Sequence, residues 1–433
     1  VLLLLAVPVA SEAQGGEWPT LSDAGLEYLS SSGFFQASLS GQLDLEALSV
    51  RHDRWGGLVG GEVADSVPAD WATACADCHR QENVRQRGRG GEIFAHRLRL
   101  FADIFAGDHL YALVEARSDR GHAPARGSIR ARVEQAFLRV SSTSGSLGLQ
   151  AGRFASPFGA YSLRHLTTDD AFLRPPLVYD YRTVMNASHA PGGAGGFLTW
   201  KNWPELFRLP GAPGVWAVPY QWGAMAFGTA GPVDLRVAAL NNAPSSDPDA
   251  WGLSRDRLEH PSWVLAARTR PSASLELGVS YNRGPWMDEI VAGSIQASPG
   301  GGIATRWDFA QEMFSADVGF SRGATVVRAE VIADFWEVPN ITERLHEIAY
   351  SAEVQRDFAA GLSIAGRVGY IDFRPIESGT GSATDWDEDV VRIESSFGYR
   401  LVRNAGVLLS GYWQDAGAGG STSLAGARLW WAF

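Results

Sequence analysis

Cys75-Ala76-Asp77-Cys78-His79 is the stretch of this chain whose residue types and spacing read most directly as chemistry. It is C-x-x-C-H, the attachment sequence of a c-type haem. Two thiols one turn apart reach the two vinyl groups of the porphyrin, and the adjacent His supplies the proximal nitrogen to the iron. The only two cysteines of the chain lie inside this motif. Three readings stay open. The first is one covalent haem c on Cys75, Cys78 and His79, with His79 as an axial ligand of the iron. The second is a Cys75–Cys78 disulfide clip in an exported loop, with His79 incidental. The third is a metal site, which lacks a second Cys or His pair at ligand spacing. His52 and His96 are the nearest further histidines. No sixth iron ligand can be singled out, because His52, His122, His165, His189 and Met185 all fall in expected loops. Arg80, Arg85, Arg87 and Arg89 follow the motif and could pair with haem propionates or lipopolysaccharide phosphates, or form a solvated loop.

Other chemistries find no support. There is no Ser-His-Asp order, Gly-rich phosphate loop or carboxylate pair above background, so hydrolase and kinase readings are set aside. The formal net charge of −11, from 37 basic and 48 acidic residues, argues against a nucleic-acid partner. Two cysteines are too few for a disulfide framework. Beyond the N-terminus no run of about 18 apolar residues occurs, which excludes helical membrane spans. A chain rich in Gly and aromatic residues can still cross a membrane as a closed β-barrel.

The elements that would position the motif read as strands. Ala37, Leu39, Leu43, Leu45 and Ala47 alternate with Ser38, Ser40, Gln42, Asp44 and Glu46. The same period of two recurs around Leu275–Asn282, Phe314–Phe320, Val327–Phe335, Ile348–Gln355 and Val391–Phe397. One face is apolar and the other polar, and the segments are long enough for tilted membrane-spanning strands. About sixteen such segments fit an outer-membrane barrel. Short connections (near 105–108, 143–146, 230–231, 271–274, 321–324, 357–361 and 400–404) alternate with long ones (near 51–91, 118–127, 156–215, 241–261, 282–306, 337–344, 371–388 and 415–420). That asymmetry is expected of a barrel with short periplasmic turns, long outer loops and both termini in the periplasm. Trp307, Trp336, Trp386 and Trp413 fall near strand ends, as interfacial girdle residues or as loop-packing residues.

Val1–Ala10 is a short apolar run with Ser11 and Ala13 at cleavage spacing, the h- and c-regions of a secretory signal. The expected cut follows Ala13, with Ala10 as a shorter alternative; the signal reads as truncated, with no initiator Met or basic region before it. The organisation expected is therefore a signal over 1–13, a periplasmic segment over 14–32 and a barrel over 33–433. Within the barrel, 50–92 is the first outer loop, carrying the C-x-x-C-H motif, and 156–216 is a long loop. Its aromatics (Phe172, Tyr179, Tyr181, Phe197, Trp200, Trp203 and Phe207) are too many for a disordered tail, so it is expected to fold into or over the lumen and narrow it.

Three resemblances add to this. Ala427–Phe433, with Leu429, Trp431 and Phe433 on one face, resembles the terminal strand of bacterial outer-membrane proteins. Gly152-Arg153-Phe154-Ala155-Ser156-Pro157-Phe158-Gly159 resembles the G-[KR]-F-x-x-P-F-G segment of phosphate-selective and related porins. Those porins carry basic residues along the lumen. Here Arg97, Arg99, Arg117, Arg328 and Arg392 mix with Glu115, Glu330 and Glu394, no arginine ladder stands out, and phosphate selectivity is not expected to carry over. A single haem motif on a porin-like barrel resembles the fused cytochrome–porins of the outer membrane. That resemblance implies electron transfer at or across the outer membrane, with a periplasmic redox partner. The alternative is a porin for a small polar or anionic solute, with the cysteines as a clip. Lipid and lipopolysaccharide are the expected surroundings in either case.

Overall fold

A computed structural model describes residues 26–30, 32–52, 91–119, 130–164, 166, 170–201, 211–253, 258–288, 305–358, 361–378, 381–417 and 420–433. The strands are β1 (Leu26–Leu29), β2 (Phe35–His52), β3 (Gly91–Ala106), β4 (Leu110–Asp119), β5 (Arg130–Ser141), β6 (Leu147–Ala155), β7 (Tyr220–Ala230) and β8 (Val233–Leu240). They continue as β9 (Ser262–Ser272), β10 (Leu275–Pro285), β11 (Ala310–Arg322), β12 (Thr325–Trp336), β13 (Leu345–Asp357) and β14 (Leu362–Phe373). A small hairpin, β15 (Pro375–Glu377) with β16 (Ala383–Asp385), precedes β17 (Val390–Val402), β18 (Ala405–Asp415) and β19 (Ser421–Ala432).

Sixteen of these, β2–β14 and β17–β19, form one closed antiparallel sheet. Each pairs with its neighbours in sequence, the hairpin β15–β16 aside, and β19 closes the ring on β2, from Thr422 opposite His52 to Ala432 opposite Gln42. β1 continues where β19 stops and covers the remaining edge of β2, with Leu26 opposite Leu39. Part of the segment expected to precede the sheet therefore belongs to it. Closure leaves no unpaired edge within the ring, which is what makes a sheet tolerable in lipid.

Period two sorts the side chains between two solvents. Along β17, Arg392, Glu394 and Ser396 are buried inward, while Ile393 and Phe397 are exposed outward. Large apolar residues are exposed around the ring, among them Phe94, Leu149, Trp263, Val279, Tyr350, Ile393 and Leu409. A soluble monomer rarely exposes a belt of that extent, and hydrocarbon is the medium in which it is satisfied. The barrel is of the kind that sits in the bacterial outer membrane. Trp413, opposite exposed Ile393, belongs to this outer face. Trp336 and Trp386 do not: both are fully buried inside, in edge-to-face contact at 5.7 Å, so they are packing residues and not girdle residues.

The apolar core lies between the wall and residues 156–219, which leave β6 and return to β7. Ser156 N–H donates to the Pro219 carbonyl at 2.9 Å and closes the neck of this excursion. Phe158, Leu177, Tyr179, Met185 and Phe197 are nearly or fully buried in it, and a short helix, α1 (Ala194–Trp200), presents Phe197 to Trp386.

Candidate functional site in the barrel lumen

The Gly152–Gly159 segment launches the inner excursion, and its two glycines have separate reasons to be glycine. Gly152 has φ +134°, and a Cβ there would collide with the Ala136 carbonyl of β5. Gly159 has φ +72°, and a Cβ there would collide with the Tyr179 hydroxyl. Arg153 donates to the Val133 carbonyl at 2.9 Å and lies 3.5 Å from Glu134, which ties β6 to β5. The chain then crosses the lumen. Gly159 N–H donates to Ser280 Oγ on β10 at 2.9 Å, and Ala160 N–H to Glu330 Oε1 on β12 at 2.8 Å.

Glu330 is the main acceptor of this dock. It also accepts from Tyr179 Oη at 2.9 and 3.0 Å and from Ser315 Oγ at 3.0 Å. Burial, reinforced by the neighbouring Glu330 carboxylate and the hydrogen bond to it, pushes the Tyr179 hydroxyl well above the ordinary tyrosine range. Arg164 reaches Glu353 on β13 at 2.7 Å.

Three wall arginines hold the next stretch by its backbone. Arg428 on β19 donates to the carbonyls of Phe172 and Leu173 at 3.2 and 3.1 Å. Arg367 on β14 donates to the Arg174 carbonyl at 2.6 Å, with its guanidinium 4.1 Å from the Phe172 ring centre. Arg392 on β17 donates to the Pro175 carbonyl at 3.4 Å and pairs with Asp180 at 2.9 Å. All three are at most 3% exposed, and each has a second acceptor on the wall: Glu46 for Arg428, Glu394 for Arg367 and Gln414 for Arg392. Burial opposes the charge on Asp180, but Arg174 and Arg392 outweigh it and hold the carboxyl down at about 2. The return limb is fixed by Val184 N–H on Asp387 at 2.8 Å and by Gln311 on the Gly214 carbonyl at 2.8 Å.

The wall from β2 to β6 is built differently. Arg99, Arg117 and Arg132 stand directly opposite one another on β3, β4 and β5, with Gln42 of β2 completing the row. An arginine ladder is thus present, although none stands out along the chain: its members lie 18 and 15 positions apart and only strand register brings them together. Like charges in register repel. Acids interleaved on the same face compensate them. Asp119 pairs with Arg97 at 3.3 Å, with Arg117 and with Arg132 at 2.7 Å, and Glu134 meets Arg132 and Arg153. Arg97 also meets Asp44 at 3.6 Å and Glu46 at 3.7 Å. Glu134 reaches this face through a bulge: β5 shifts register between the partners of Glu115 and Ala116, which turns Glu134 inward as well as Phe137.

This closed barrel with an inward excursion is similar to solved structures. An anion-selective porin from Comamonas acidovorans aligns with a TM-score of 0.54 at 10% identity, over 92% of this chain and all of that one. The outer-membrane channel DcaP of Acinetobacter baumannii gives 0.52 at 12% identity, over 94% and 99%. A loop-deletion form of OmpT, an outer-membrane protein of Vibrio cholerae, gives 0.51 at 13%, over 92% and 100%. The fold is that of the outer-membrane porins. No protein-family model and no curated protein matches the chain.

Cys75, Cys78, His79 and Arg80–Arg89 lie outside the described residues, as do His122, His165, Trp203 and Phe207. His96 shares the outward face of β3, opposite exposed Leu45. Met185 is buried in the inner core, and His189 Nδ1 lies 3.4 Å from Asn186 Oδ1. Among the described residues no group of three or more His, Cys, Asp or Glu is arranged to hold a metal ion. The residues that sequence reading passed over are Arg132, Arg367 and Arg428, together with Asp119 and Glu134. Alternation marks most of them as inward, but Glu134 turns inward through a bulge, and nothing along the chain marks the strand register that sets which of them meet.

Proposed function

We propose that the chain is an outer-membrane, porin-like channel for small polar or anionic solutes, narrowed by residues 156–219. The observation that carries this reading is the one-sided docking of that segment. It is bound to β10–β14, β17 and β19, and the Arg99–Arg117–Arg132 row stands on the other side of the lumen, where Arg99 is buried and Arg132, with 22% of its side chain exposed, is the member most open to a solute. Guanidinium groups beside interleaved acids suit small charged or hydrogen-bonding solutes. The short-turn rim carries both ends of the ring and is placed in the periplasm. In planar bilayers the purified protein is expected to give discrete conductance steps, and removal of 160–212 to raise the step size. A folded deletion variant with unchanged steps would refute the constriction. Epitope tags placed in 282–306 or 371–388 are expected to be labelled on intact cells.

A second reading rests on Cys75, Cys78 and His79, the donor set of a covalent haem c and the site of the chain's only cysteines. In that reading Cys75 and Cys78 hold the porphyrin by thioether bonds, His79 is one axial ligand, and the barrel carries an electron-transfer group that a periplasmic partner meets. Bound haem would supply one-electron chemistry. Expression with a cytochrome c maturation system should then give a haem-stained band after denaturing electrophoresis, abolished by Cys75→Ala with Cys78→Ala. An unstained band, with a Cys75–Cys78 disulfide in the mass spectrum, leaves the channel reading alone.

A further inference from the structure

Toward the short-turn end of the barrel, a recess opens between the start of the inner segment and the β8–β11 wall. Its polar lining includes Asp234 and Arg236 of β8, Arg268 of β9 and Asp317 of β11; Gly159 and Leu163 form the opposite side. Most of these charges are already matched. Arg268 pairs with Glu276 and lies 3.2 and 3.3 Å from the two Asp317 oxygens. Asp234 accepts from Thr229 Oγ1 at 2.7 Å. Nearby Arg139 donates to Gln150 at 2.9 and 2.7 Å and lies over the Phe227 ring at 5.2 Å.

Arg236 is the exception. It points inward from β8, opposite Phe227, and is partly buried. Among the described residues it has neither a hydrogen bond nor an ion pair; Arg268 and Arg139 repel it, and Asp234, two positions away on the same strand, attracts it without pairing. A guanidinium carries five donors and no acceptor, so leaving it partly desolvated without a partner is costly. The group that would satisfy it is an anion with two oxygens to match the fork.

We propose that this recess is an anion subsite in which Arg236 binds the carboxylate or phosphate of a passing solute. The proposal rests on the channel reading and narrows it, since it gives the solute an anionic group and a stopping place on the periplasmic side of the constriction.

The test uses the full chain in detergent, with inorganic phosphate as the probe. Equilibrium dialysis is expected to show phosphate bound about tenfold more weakly by Arg236→Gln, with Arg236→Lys in between because it keeps the charge but not the fork. Heat-modifiable migration on gels verifies that each variant is a folded barrel, and Arg236→Lys keeps the comparison available if Arg236→Gln does not fold. Equal binding by wild type and a folded Arg236→Gln overturns the subsite. Acetate that displaces phosphate identifies a carboxylate site; phosphate retained in acetate identifies a phosphate site. Bilayer recordings separate the two levels of the claim. Arg236-dependent binding without conductance refutes the channel and keeps the subsite. Conductance with Arg236-independent binding refutes the subsite and keeps the channel.

Discussion

The two halves of the inner wall use the same residue type for different ends. On β14, β17 and β19, arginines spend their donors on backbone carbonyls of residues 172–175 and are sealed from solvent. On β3, β4 and β5, arginines stand in register, and their ion pairs among the described residues run along these strands and between neighbours. The first half is a mount for the inner segment. The second is a row whose charges are balanced within the wall itself, with Arg99 buried and Arg132 the most open. What separates them is the presence of a peptide partner. A carbonyl accepts from a guanidinium without adding charge, so each Arg also holds one acid, on the wall for Arg367 and Arg428 and in the inner segment for Arg392, whereas a row of arginines needs acids at every step.

The largest test of this contrast is Arg367→Met. It leaves Glu394 buried without its partner and frees the Arg174 carbonyl, and loss of one member of a buried ion pair costs about 3–5 kcal/mol. Denaturant unfolding in micelles measures it; a loss near zero would mean that this half is no mount. Glu330→Gln is next. The carboxylate serves the Ala160 N–H and the Tyr179 and Ser315 hydroxyls, and hydrogen bonds to a charged group are worth about 1.5–3 kcal/mol each. The variant should expose 160–215 to protease while the wall stays resistant.

Acid probes the same mount through Asp180. Its folded value, about 2, lies below the ordinary carboxylate value near 4. The contribution is therefore complete above about pH 4 and disappears as pH falls toward 2, amounting to about 2 kcal/mol. Fluorescence of the buried inner tryptophans should be flat from pH 8 to 5 and change only in that acid window. For Asp180→Asn the change should be absent. Smallest in structural effect is Arg117→Gln. It stands outside the mount, so protease resistance of the inner segment should match wild type, while the reversal potential in a salt gradient shifts toward cations. A loosened inner segment would show that the two halves are coupled.

The barrel was legible in the sequence because the inner and outer media differ so strongly. Ile393 and Phe397 cannot trade places with Arg392 and Glu394, so period two survives in each strand, and the turn and loop positions punctuate it. Gly152–Gly159 was equally legible as a local unit by its residue types, although the groups that limit its glycines, Ala136 and Tyr179, lie 16 and 20 positions away. The arginine row was not legible, because adjacency in a barrel is set by register and by the bulge at Glu134, neither of which leaves a periodic trace. Nor was the inward burial of Trp336 and Trp386, since an aromatic at a strand end has the same local pattern whether it faces lipid headgroups or the folded-in segment.

By itself, then, the sequence determined the sheet, its two faces, its sixteen strands and the C-x-x-C-H spacing at Cys75–His79, all properties of spacing along one dimension. Only the tertiary structure decided which charges meet. Glu330 lies 151 positions from Tyr179 and Arg428 lies 256 from Phe172, and contacts at such separations exist only once the ring has closed and the inner segment has settled against one side of it.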